Sequence, residues 1–120
     1  MQNYKDLKVW NSAHKFVLDL YKVCGSFPRE EIYVLTAQLK RAGISIPANI
    51  AEGCGKRSNA ELAHFLNIAL GSANETEYFV LLASDLNFID KVTYERLAAQ
   101  INEIKAMLIG LISKVRSQKI

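Results

Sequence analysis

The chain has 120 residues, half of them hydrophobic and 22% charged, with a net charge of +3. That length supports one core rather than two, and the balance excludes a disordered or fibrous protein. Apolar runs such as 79–83 and 107–109 fall far short of the roughly 20 residues that cross a bilayer. The charged N-terminus also lacks the apolar stretch of a signal peptide, so a cytoplasmic protein of one domain over 1–120, with no membrane association, is expected.

Helical spacing dominates from the start. Val9, Ala13, Phe16, Val17, Leu20 and Cys24 recur at three- and four-residue intervals, and Gly25 is placed to supply a left-handed stop. The spacing predicts a first helix over 7–24. Pro28 fits a first helical turn, where its missing N–H is not needed, and Glu30 and Glu31 follow where the helix dipole prefers anions. A second helix is therefore expected from about residue 28, with an apolar stripe of Ile32, Leu35, Leu39, Ala42, Ile46 and Ile50. The stripe passes through Pro47 and implies a kinked but continuous helix to about Gly53; two shorter helices are the alternative. Ser58 followed by Glu61 reads as a capping box that opens helix three. Its core face is Leu62, Phe65, Leu66, Ala69, Ala73, Phe79, Leu82 and Leu86. Asp90 caps helix four, where Leu97, Ile101, Ile104, Leu108, Leu111 and Val115 repeat as a seam. Connections of roughly 3 to 6 residues favour antiparallel neighbours. The expected fold is an all-α, antiparallel up-and-down four-helix bundle with helix two kinked near Pro47.

Catalytic chemistry has no visible starting point. Glu61 and His64 match one half of the Glu-x-x-His pattern that builds carboxylate metal sites in bundles, but no second copy exists and the capping box already accounts for Glu61. His14 and His64 lack a neighbouring nucleophile, and Gly53-Cys54-Gly55 does not follow a strand as a phosphate cradle would. Cys24 and Cys54 have no metal-ligand spacing and read as buried thiols. Neither a catalytic residue, a metal nor a cofactor is expected. Gln38, Ser45, Asn49 and Glu52 form a polar line beside the stripe of helix two, and Ser72 and Glu75 answer it from helix three. Small and amide residues bordering a core favour inter-helix hydrogen bonds, because burying them unpaired costs a few kcal/mol each. A structural polar seam is preferred to an exposed face or a ligand site.

Several segments are similar to one known family. Tyr4-Lys5-Asp6-Leu7-Lys8-Val9-Trp10, Phe27-Pro28, Gln38-Leu39-Lys40-Arg41-Ala42, Ser45-Ile46-Pro47-Ala48-Asn49-Ile50-Ala51-Glu52-Gly53 and Ala69-Leu70-Gly71-Ser72 with Glu75 resemble the four-helix bundle proteins of the 23S rRNA intervening-sequence family. These motifs cover most of the chain in order. The resemblance implies a homo-oligomer, a pentameric ring like those of family members and of the related accessory proteins of diversity-generating retroelements. It also implies that helix two continues through Pro47. Gly43, where the family pattern usually has alanine, and Cys54, where a larger residue is common, depart from that pattern at positions that loosen the helix near Pro47.

Two functions follow. The first is an oligomeric nucleic-acid-binding protein that holds RNA or DNA phosphates through Lys40, Arg41, Lys56 and Arg57, with Lys5, Lys8 and Lys15 near the N-terminus. Repetition around a ring makes such a patch multivalent. For Arg41 the alternative role is an ion pair with Glu75 or Glu77. The second function is a scaffold ring that docks a protein partner, for which Ala98, Ile109 and Ile112 widen the apolar surface of helix four. Location discriminates them: one exposed patch of Lys40, Arg41, Lys56 and Arg57 favours the first, whereas dispersal or pairing favours the second.

Overall fold

The computed structural model describes residues 2–118. A short 3-10 turn, Tyr4–Asp6, leads into α1 (Lys8–Cys24), and a second, Arg29–Glu31, precedes α2 (Leu35–Cys54). The longer α3 (Asn59–Asp85) and α4 (Lys91–Ser117) complete an all-α four-helix bundle, with no strand among the described residues. Its Cα extents are 51 × 24 × 20 Å. Each helix packs on its neighbours in chain order, and α4 closes the ring against α1. α2 and α3 run in opposite senses: Ser45 of α2 meets Ser72 of α3, while Gly53, later in α2, meets Leu62 and Phe65, earlier in α3. No described helix is long and apolar enough to cross a membrane.

The core follows the apolar stripes. Phe16 and Leu20 of α1, Leu39, Ile46 and Ile50 of α2, Leu66 and Val80 of α3, and Leu97, Ile101, Ile104 and Leu108 of α4 are almost wholly buried. Each such side chain stabilises the fold by about 1.5–3 kcal/mol relative to exposure. Both anticipated N-caps form. Asp90 accepts the Thr93 N–H at 2.8 Å, and Ser58 Oγ accepts the Glu61 N–H at 3.1 Å. The capping box is not reciprocal as expected, because the Glu61 carboxylate takes the Ser58 hydroxyl rather than its backbone N–H.

Several expectations are corrected. α2 begins at Leu35, not near Pro28, so the α1–α2 connection (25–34) is longer than foreseen. Ile32, Tyr33 and Val34 are poor helix formers in succession. The Glu31 carboxylate accepts the Leu35 N–H at 3.4 Å, so this acid caps a later helix rather than sitting in an earlier one. Ile32, assigned to the apolar stripe, is 48% exposed. Gly25 ends α1 with φ −61°, not in the left-handed region, because the Gly25 and Ser26 N–H groups fold back on Lys22 and Val23. The left-handed residue is Asn87, φ 62°, after α3. There the Asn87 and Phe88 N–H groups reach the Ser84 and Ala83 carbonyls, a Schellman ending. Leu86 is consequently exposed rather than core, whereas Ile112 is buried with 6% exposure and belongs to the core instead of the outer surface.

α2 runs unbroken through the buried Pro47. Close by, Ser45 and Ser72 share a hydroxyl hydrogen bond of 2.8 Å across the α2–α3 interface. Asn49 Nδ2 donates to both the carbonyl and the hydroxyl of Ser45, and Thr76, fully buried, donates to the Ser72 carbonyl at 2.7 Å. At Gly43 the space a Cβ would fill belongs to Leu20, whose Cδ2 lies 2.6 Å from that point. The missing side chain lets α1 approach α2 there.

Candidate nucleic-acid interface

The seven basic positions singled out in the sequence do not form one surface. Lys40 and Arg41 lie in the first turns of α2, and from Lys40 to Cys54 the helix rises about 21 Å before Lys56 and Arg57 are reached. Lys40 is half-buried, with its ammonium 4.6 Å from the Tyr21 ring centroid, a packing role for its stem and a cation–π contact for its head. Arg41 is exposed, and among the described residues it pairs with neither Glu75 nor Glu77; Glu77 is taken by Lys105 at 3.2 Å. Lys15 is exposed two turns along α1 from Lys8. The four-residue patch that would have favoured the first function is therefore dispersed, the outcome that on this criterion favours the scaffold function.

A different grouping forms at one end of the bundle. The N-terminal segment, the α2–α3 turn and the last turns of α4 converge there. Gln2 N–H donates to the Cys54 carbonyl at 3.0 Å, and Asn59 Nδ2 donates to Gln118 Oε1 at 3.3 Å. Gly53 makes the convergence possible, since a Cβ on it would stand 3.0 Å from Phe65 Cβ and 3.3 Å from the Leu62 carbonyl. This end carries Lys5, Lys8, Lys56, Arg57, Lys114 and Arg116 against the carboxylates Asp6, Glu52 and Glu61. Lys56 is 3.9 Å from Glu52 and 5.2 Å from the Phe65 ring centroid, and Lys5 is 6.0 Å from that of Tyr4. Arg57, Lys8, Lys114 and Arg116 are exposed and make no ion pair among the described residues. A recess of about 180 Å³ opens here, with Lys56, Arg57 and Lys114 in its walls beside Ser58, Asn59 and Gln118.

Sequence reasoning singled out Lys56 and Arg57 at this end but not Lys114, Arg116, Asn59 or Gln118, which the fold brings beside them. The signal was available in the element order: short connections put the end of α4 beside the start of α3, so cations in the last turn of α4 belong with those after α2. The polar line divides similarly. Ser45, Asn49 and Ser72 are joined by hydrogen bonds, whereas Gln38, Glu52 and Glu75 are exposed, and Glu52 faces Lys56. Their charges and amides sit outward of the seam, where water meets their hydrogen-bonding needs.

Elsewhere the side chains that could do chemistry are isolated. His14 stacks on Trp10 at 5.0 Å, and His64 lies edge-on to Phe65 at 5.4 Å. No three His, Cys, Asp or Glu side chains converge among the described residues. Both cysteines are free and buried, one near each end of the bundle. Burial pushes the Cys24 thiol up to about 11 against the pull of Lys40. It raises Cys54 as well, opposed by a hydrogen bond from Gln2 and by the N-terminal charge. Burial thus disfavours the thiolate at both positions.

Four helices packed in a ring, with a basic end and isolated titratable groups, define a four-helix bundle protein. The family model of the 23S rRNA-intervening sequence protein matches residues 5–110. The chain belongs to that family. It is also similar to a protein of unknown function from the S23 ribosomal protein family of Bacteroides thetaiotaomicron, at 33% identity and a TM-score of 0.81, over 87% of this chain and 97% of that one. None of the curated proteins compared matches the chain.

Proposed function

We propose that the chain is a non-enzymatic, self-associating bundle that binds RNA or DNA phosphates through its basic end. The observation that carries this reading is the convergence of Lys5, Lys8, Lys56, Arg57, Lys114 and Arg116 where three chain segments meet, with Arg57, Lys8, Lys114 and Arg116 unpaired among the described residues. Binding of this kind is salt-dependent and weakly selective for sequence, because it rests on phosphates rather than base edges. Support for self-association comes from the outer faces of α3 and α4. Tyr78, Leu81 and Ile109 are exposed there, and Gly71 and Gly110 have open space above them that permits close approach. A pentameric ring, which the family resemblance implies, would repeat the basic end around an axis and multiply weak contacts.

Fluorescence anisotropy of a structured RNA and a duplex DNA tests the reading. The Lys56→Ala/Arg57→Ala/Lys114→Ala variant should lose at least about tenfold in affinity, roughly 1.4 kcal/mol. On duplex DNA its log Kd should rise less steeply with log salt, by about 0.9 for each phosphate that the variant no longer neutralises. A Lys40→Ala/Arg41→Ala variant should bind as the parent does. Equal binding by the triple variant, at unchanged native mass, would overturn the assignment. A second reading, a scaffold that docks a protein partner, draws on the opposite end. Tyr33 there is 93% exposed between Ile32 and Val34, a solvent-facing apolar tripeptide on the α1–α2 connection.

A further inference from the structure

We infer that the recess at the basic end is a receptor for a terminal phosphate monoester, such as the phosphorylated end of a nucleic-acid strand, and not only part of a surface that attracts phosphodiesters. The inference rests on the nucleic-acid reading above and names the group that the site takes. Its walls come from three segments distant in sequence. Lys56, Arg57, Ser58 and Asn59 line it from the α2–α3 turn, Lys114 and Gln118 from the end of α4, and Gln2 and Leu7 from the N-terminal segment. The Gln2–Cys54 and Asn59–Gln118 hydrogen bonds tie these three segments together, which brings Lys56, Arg57 and Lys114 to one recess.

Charge and the number of ester links select the ligand. The recess, about 180 Å³ and partly open to solvent, has room for a phosphate group with several waters. An internal phosphodiester carries one negative charge and continues into sugar on both sides, so a recess walled on three sides obstructs it. A terminal monoester has a single ester link, three free oxygens and a charge between about −1.5 and −2 at neutral pH. Lys56, Arg57 and Lys114, with Glu52 beside Lys56 offsetting one of their three charges, leave about +2 to meet that charge. The first turn of α3 adds to them: Ser58 caps the Glu61 N–H, while the N–H groups of Asn59 and Ala60 precede any intrahelical acceptor.

The test compares one single-stranded RNA decamer in 5′-phosphorylated, 3′-phosphorylated and unphosphorylated forms by anisotropy at pH 7.5, alongside an amide NMR titration with inorganic phosphate. A phosphorylated end should bind at least tenfold more tightly than the hydroxyl form. Lys114→Ala should erase that difference and Lys15→Ala should leave it. The preference should also fade below about pH 6, where the monoester dianion takes up a proton and its charge falls toward −1. Inorganic phosphate should shift the amides of Asn59 and Ala60 in the parent and not in Lys114→Ala. Equal binding of all three decamers would overturn the receptor and leave the phosphate-backbone reading standing. No decamer binding, together with the Lys114-dependent phosphate shifts, would uphold the recess and overturn the nucleic-acid reading. Absence of both would overturn both.

Discussion

The two ends of the bundle are built from the same helices and behave as opposites. At the basic end the N-terminal segment is hydrogen-bonded to the end of α2, Asn59 is tied to Gln118, and Gly53 brings the α2 backbone against α3. At the other end the α1–α2 connection leaves Ile32, Tyr33 and Val34 in solvent, and the acids Asp19, Glu30, Glu31, Asp85, Asp90 and Glu95 balance the cations Lys22, Arg29, Lys40, Arg41, Lys91 and Arg96. Arg96 is already engaged there, by two 3.0 Å hydrogen bonds to Asp19. The α2–α3 pair runs in opposite senses, so the dipoles of these two helices largely cancel. Side chains then set the charge balance at each end. The excess of cations is gathered where the chain is most tightly tied.

That comparison can be broken by substitution, beginning with its tightest point. Gly53→Val should destabilise the protein by about 1–3 kcal/mol, because the new branch has no room beside Phe65 and the Leu62 carbonyl; an unchanged urea midpoint would show that close packing is not what holds the basic end. Ser72→Ala should cost about 1 kcal/mol by leaving the Ser45 hydroxyl without its partner across the helices, again read from urea unfolding. A smaller effect is expected at Asp90. Hydrogen bonds from Thr93 hold its carboxyl below the ordinary value of 3.8. Its contribution is therefore present above pH 3.8 and lost as pH falls through the depressed value. Asp90→Ala should give a shallower loss of stability on acidification than the parent, and parallel acid profiles would argue against that role. Smallest of all, Tyr33→Ser should move stability by no more than about 0.5 kcal/mol, since its ring touches mainly water; a larger drop would place Tyr33 in a contact.

Legibility from sequence followed the range of the forces involved. The caps at Ser58 and Asp90 and the seam of α4 depend on residues three or four apart, and periodicity finds them. The beginning of α2 was misread because Pro28 with two following acids satisfies every local rule for a helix start. The outcome instead turns on three poor helix formers and on Glu31 reaching forward to Leu35. The basic end was half legible. Lys56 and Arg57 stand together in the chain, but Lys114 joins them only through the return of α4, a long-range relation that no local pattern carries. The polar line followed the same rule: helical spacing aligned Gln38, Ser45, Asn49 and Glu52, but only the facing helix decided that Ser45 and Asn49 would be bonded while Gln38 and Glu52 met water.

The positions of the two cysteines give each end its own reporter. Cys24 closes α1 at one end and Cys54 closes α2 at the other, separated by about the length of α2, some 30 Å and far beyond the roughly 7 Å between Cα atoms that a disulfide tolerates. Oxidation therefore cannot staple a single bundle. Each thiol instead becomes available to a labelling reagent only when its own end frays, so the two modification rates, read separately by mass spectrometry, measure how often either end of the molecule comes apart while the rest stays folded.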